Sequence, residues 1–64
     1  MATKEQCIEW HKKKTLVAYD NRKCYKIIGF RVRHEEGEWK YSPILWDVYN
    51  KMSTITCRPE DVSE

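Results

Sequence analysis

The sequence predicts an α+β fold, with one N-terminal helix packed on a small antiparallel sheet of four strands taken in chain order. Three observations carry this. A ten-residue amphipathic pattern opens the chain behind a capping signature. Four short runs rich in β-branched and aromatic residues follow, and polar turn residues separate each run from the next. The stretch from Lys23 to Pro59 holds two of the three tryptophans and both glycines, and the rest of the chain attaches to it.

The helix is expected over residues 4–13. Thr3-Lys4-Glu5-Gln6 fits a capping box, with Thr3 accepting from the Gln6 N–H and the Gln6 side chain returning to the Thr3 N–H. Cys7, Ile8, Trp10 and His11 fall in one stripe, with Glu5, Glu9, Lys12 and Lys13 outside it. So short a helix is not stable alone in water, so its Trp10 face must dock on the sheet. Residues 15–19 read as a first strand, closed by the turn residues Asp20-Asn21-Arg22-Lys23. The second strand, residues 24–33, alternates from Ile28 onward, placing Ile28, Phe30 and Val32 on one face and Gly29, Arg31 and Arg33 on the other. Upstream the phase slips, because Ile27 and Ile28 are both apolar, and Gly29 beside them allows a bulge or bend.

A hairpin turn is expected over residues 34–38, with Gly37 at a positive-φ position. The third strand, residues 39–49, contains Ser42-Pro43, which demands either an edge position or a bulge that splits the strand. Beyond it Ile44, Trp46 and Val48 share a face. Residues 54–57 make a fourth strand with Ile55 and Cys57 inward, and residues 59–62 a 3₁₀ turn with Val62 plugging one end of the core. The expected core is Ile8, Trp10, Leu16, Val17, Ile28, Phe30, Val32, Ile44, Trp46, Val48, Ile55 and Cys57.

Sixty-four residues make one domain near the lower size limit for an unaided core. No run of 18 apolar residues is present, and the N-terminus lacks the apolar region of a signal peptide. Cys7, Cys24 and Cys57 are odd in number and form no C-x-x-C pair, which argues for reduced thiols and a cytoplasmic protein. The net charge of +2 is segregated: residues 1–10 carry −1, residues 11–33 carry +7 and residues 34–64 carry −4.

Short sequential strands, one bent at a glycine and one interrupted by a proline, suggest a small, partly open barrel. Gly29 in a long bent second strand and Arg58-Pro59-Glu60-Asp61-Val62 after the last core strand resemble the small SH3-like barrels, a group that includes Tudor and KOW-type modules and orphan phage or prophage proteins. The resemblance covers residues 15–62, roughly. It departs from the family pattern twice: a helix is prefixed, and only Ser63 and Glu64 remain where a last strand usually follows. A plain α+β meander is the alternative.

The chemistry-bearing residues are weighed in turn. Cys7 and His11 lie at i,i+4 on one helix face and could share a metal ion with Cys24 and Cys57, yet structural zinc sites favour closely spaced ligand pairs and none exists here. Buried packing is the plainer reading. No feature assembles a nucleophile, a base and an orienting group, so no enzyme, cofactor or small-molecule substrate is expected. Lys12, Lys13, Lys14, Arg31 and Arg33, interleaved with Tyr25 or Trp39, could form a basic nucleic-acid surface, although Glu35, Glu36 and Glu38 would repel phosphate. The bland alternative pairs Arg31 or Arg33 with Glu38 across the strands. Trp39 and Tyr41 share a strand face and, with Trp46 and Tyr49, suggest an aromatic cage of the kind Tudor-like barrels use for methylated cations, set against a small core's plain need for rings. The leading expectation is a non-enzymatic protein that binds another protein through Trp39 and Tyr41, of the type phages use to modulate a host factor. Nucleic-acid binding through the basic residues is second.

Overall fold

The computed structural model describes residues 2–64, and its elements follow the expected order. They are α1 (Lys4–Lys13), β1 (Leu16–Tyr19), β2 (Arg22–Glu35), β3 (Glu38–Asp47), β4 (Thr54–Thr56), a 3₁₀ turn (Pro59–Asp61) and β5 (Val62–Ser63). The result is a small α+β fold with an open antiparallel sheet of five strands in the order β4-β3-β2-β1-β5. The fifth strand is a correction to the expected four. Two residues suffice for it, because Ser63 and Val62 pair with Ala18 and Tyr19.

The capping box forms as expected: Gln6 N donates to Thr3 Oγ1 at 3.2 Å and Thr3 N to Gln6 Oε1 at 2.9 Å. At the other end Lys14 takes the left-handed conformation (φ 56°), and the N–H groups of Lys14 and Thr15 close on the carbonyls of His11 and Trp10. Both hairpin turns place two consecutive residues at positive φ, Asp20-Asn21 (52° and 63°) and Glu36-Gly37 (52° and 78°). That is the primed turn whose twist matches the strands it joins.

The core phase differs from expectation, and a bulge explains half of it. Ile27 pairs with Leu45, while the next pair is Gly29 with Ile44, so Ile28 is the extra residue in β2. The bend expected near Gly29 is therefore real, but its effect is to turn Ile28 outward: Ile28 is 49% exposed and Ile27 only 4%. On β3 the buried positions are Pro43, Leu45 and Asp47, and Ile44, Trp46 and Val48 are only half-buried. The alternation was masked because Asp47, a charged residue, holds an inward position. It is tolerated there because Oδ1 accepts from the N–H groups of Tyr49 (2.9 Å) and Asn50 (3.1 Å). These two bonds come first among the causes that hold its carboxyl below the usual range.

Cys7, Val17, Cys24, Tyr25, Ile27, Leu45, Cys57 and Val62 form the buried cluster, with Trp10, Phe30 and Ile55 packed against it. Val62 does plug the core. The helix docks partly through His11, whose Nδ1–H donates to the Ile27 carbonyl at 2.7 Å. A carbonyl only accepts, so the proton must sit on Nδ1. Ile27 lies past Lys26, the last β2 residue that β1 pairs, and His11 supplies the partner the strand does not.

Candidate interaction surface on the distal β2–β3 hairpin

A ten-residue helix is about 15 Å long, whereas the fourteen residues of β2 trace a path of about 46 Å along a bent strand, so α1 covers only part of β2. The far end of the β2–β3 hairpin projects from the body of a molecule 37 Å long and 21 Å wide. Every residue from 31 to 40 is exposed.

The cross-strand pairs Val32–Tyr41 and His34–Trp39 lie on the face that continues the core. Trp39 is 64% exposed, its ring edge-on to His34 at 4.9 Å between centroids, and Val32 is 47% exposed. Lys4 brings its ammonium over the Tyr41 ring, 4.5 Å from the centroid. The expected sharing of one face by Trp39 and Tyr41 is thus observed, and the chain's own cation lies over the Tyr41 ring.

The opposite face is charged. Arg31 faces Ser42, Arg33 faces Lys40 and Glu35 faces Glu38. Like charges therefore sit directly across from each other, and the relief runs along the strands, Arg33 to Glu35 at 3.1 Å and Lys40 to Glu38 at 3.0 Å. Arg31 has no ion-pair partner among the described residues. Among the five basic residues, Arg31 and Arg33 come together. Arg31 and Arg33 line a concavity of about 690 Å³ together with Arg58, Tyr19 and Ser42. Lys14 instead borders a separate cavity with Lys26, Ile28 and Trp46, and Lys13 is paired with Glu9 at 3.0 Å. Arg58 was not foreseen; it is held by Asp61 at 3.2 and 3.3 Å.

The backbone of β3 carries a feature that side chains alone do not reveal. Cys57 N donates to the Pro43 carbonyl and Asp47 N to the Ser53 carbonyl, so the odd-numbered residues of β3 direct their polar groups away from β2. Pro43 fits this parity, since its missing N–H falls on the outer side and the strand runs unbroken from Glu38 to Asp47. The edge alternative for Ser42-Pro43 is the one realised. β4 pairs only with Ile44, Leu45 and Trp46. The N–H and C=O groups of Trp39 and Tyr41 therefore face outward with no strand beside them. A groove of about 460 Å³ is lined by Trp39 and Tyr41 together with residues 2–4 and 58–60, and the 3₁₀ turn packs against β3.

Cys7, His11, Cys24 and Cys57 do not assemble a metal site, for among the described residues no three His, Cys, Asp or Glu side chains come together as a ligand set. The three thiols are buried and unpaired with one another as disulfides. Burial raises the Cys7 thiol and, with Asp61 and Cys7 nearby, pushes Cys57 up to about 11. No helix among the described residues is long and apolar enough to cross a membrane. No protein-family model matches the chain, and neither a curated protein nor a solved structure does.

Proposed function

We propose that this is a non-enzymatic binding protein whose partner is another protein, engaged through the aromatic face of the distal β2–β3 hairpin. The observation that carries this reading is the exposure of Trp39 beside Val32 and His34, with Tyr41 on the same face of the hairpin. Tryptophan and tyrosine are the residues that most often anchor protein contacts, because each buries a large rigid ring at low entropic cost. Of the narrower expectations, the SH3-like barrel rests on the resemblance of Gly29 and residues 58–62, the phage-type modulator of a host factor on that resemblance and the single-domain size, and the cytoplasmic setting on the three cysteines.

A second reading has one observation in its favour: Arg31, Arg33 and Arg58 border a single concavity with Asp61 as its one carboxylate. That arrangement suits a phosphate group on a nucleic acid. Salt separates the two. Phosphate contacts release counterions, so a nucleic-acid complex that neutralises about four phosphates loses about 10²-fold in affinity between 50 and 200 mM salt. A contact anchored by Trp39 responds mainly in its on-rate. The test is a pull-down with the intact chain, with and without nuclease, at both salt concentrations. A protein partner that survives nuclease and high salt, and is lost with Trp39→Ala, supports the proposal. Retention that vanishes with nuclease overturns it in favour of the arginine concavity.

A further inference from the structure

We infer that the partner binds by strand addition: a short extended segment of another protein pairs with the open edge of β3 at Trp39 and Tyr41, carrying an acidic side chain beside Tyr41. This rests on the protein-binding reading and specifies its mode. The occupant follows from the edge itself. Trp39 and Tyr41 present two donors and two acceptors at strand spacing, and an extended backbone is the chemistry that satisfies all four. A groove of about 460 Å³ borders Trp39 and Tyr41, with residues 2–4 and 58–60 also in its lining. Its charge selects the side chain. Arg33, Lys40 and Arg58 already have carboxylate partners, but Lys4 has none among the described residues and sits over Tyr41.

A second copy of this chain is a poor occupant. The two-fold antiparallel register that uses all four groups sets Trp39 against the partner copy's Tyr41 and centres on Lys40. Two Lys40 side chains would then face each other in the close, non-hydrogen-bonded position, where like charges repel. Moving the centre to Tyr41 brings Pro43, which has no N–H, into the ladder.

The probe is an acetylated and amidated pentapeptide, Thr-Val-Glu-Val-Thr, titrated to millimolar concentration into isotope-labelled protein. Two controls accompany it: the same peptide with Lys for Glu, and the same peptide N-methylated at Glu. The expected result is saturable change at the Trp39 and Tyr41 amides, with binding at least about tenfold weaker for both control peptides. Tyr41→Pro should abolish binding while Tyr41→Ala weakens it less, because proline removes a donor that points away from β2 and leaves the ladder intact. Should Tyr41→Pro not fold, the N-methylated peptide decides on the unaltered protein. No change at millimolar peptide, change confined to other residues, or equal binding of the N-methylated peptide overturns the inference. So does concentration-dependent self-pairing of this edge without peptide. The two readings fail separately: if a salt-resistant partner requires Trp39 but binds Tyr41→Pro normally, strand addition falls and protein binding stands. If no protein survives nuclease, protein binding falls and the inference with it.

Discussion

Ile27 and Ile28 are chemically identical neighbours whose fates are set by one bulge, so substituting each in turn tests the register of the sheet. Ile27 is 4% exposed and belongs to the core cluster; Ile28 is 49% exposed. Ile27→Ala removes buried methyl and methylene groups and leaves a cavity, at a cost of about 2–5 kcal/mol. Ile28→Ala forfeits only the buried half of the side chain, about 1 kcal/mol or less. A 64-residue domain holds roughly 3–10 kcal/mol in total, so the first change consumes much of the stability and the second little. A gap of about 2 kcal/mol corresponds to some 8–16 °C in melting midpoint at this size. Urea unfolding followed by tryptophan fluorescence gives both values, with unchanged m expected for each. If Ile27→Ala has a melted baseline, the Ile→Val pair repeats the comparison at about 0.5–1.5 kcal/mol. Equal losses, or a greater loss for Ile28, would show that the bulge lies elsewhere and that the inward phase drawn for β2 is wrong.

Three further outcomes follow from the same geometry. Glu36 sits at the first position of a primed turn with φ 52°, where asparagine is preferred, so Glu36→Asn should raise the melting midpoint by a few degrees; a lower midpoint would contradict the turn. The thiols should be inert in the native state, with a thiol reagent slow at neutral pH and three equivalents titrating on unfolding; because the Cys7 and Cys57 values are raised, stability is full below the ordinary thiol range near pH ~8.5 and falls as pH rises above it. The carboxyls of Asp47 and Asp61 are held low, by the Tyr49 and Asn50 N–H groups and by Arg58 respectively, so their contribution is complete above pH ~4 and is lost as pH falls below it. Asp47→Asn should flatten that acid limb, and an unchanged limb would refute its role.

The sequence carried the element order because each boundary has a local cause: the Thr3–Gln6 box, the Asp20-Asn21 and Glu36-Gly37 turns, and Pro59 opening the 3₁₀ turn. What it hid is what depends on pairing. Nothing local distinguishes Ile27 from Ile28 until β3 fixes which one is the extra residue. The inward Asp47 is intelligible only once the chain beyond it folds back to donate two N–H groups, and without that knowledge Trp46 and Ile44 look like the core face. The site divides in the same way. Trp39 and Tyr41 were legible as aromatics on one strand face, and their side chains do share it. The convergence of Arg58 with Arg31 and Arg33 is a tertiary event, as is the approach of Lys4 to Tyr41. Pro43 carries a local signal of the parity of β3: a proline inside a paired strand must face its missing N–H outward, which marks positions 41 and 39 as sharing the open side.

The central claim, that the distal hairpin offers a strand edge to which no strand is paired, is tested most directly by backbone amide hydrogen exchange in the free protein at low concentration. The parity of β3 predicts slow exchange at Lys40 and Ser42, whose N–H groups face β2, and fast exchange at Trp39 and Tyr41, whose N–H groups face outward. Adding a captured partner should then slow Trp39 and Tyr41 without altering their neighbours. Protection of Trp39 and Tyr41 in the free monomer, or exchange that does not alternate along residues 39–42, would contradict the account.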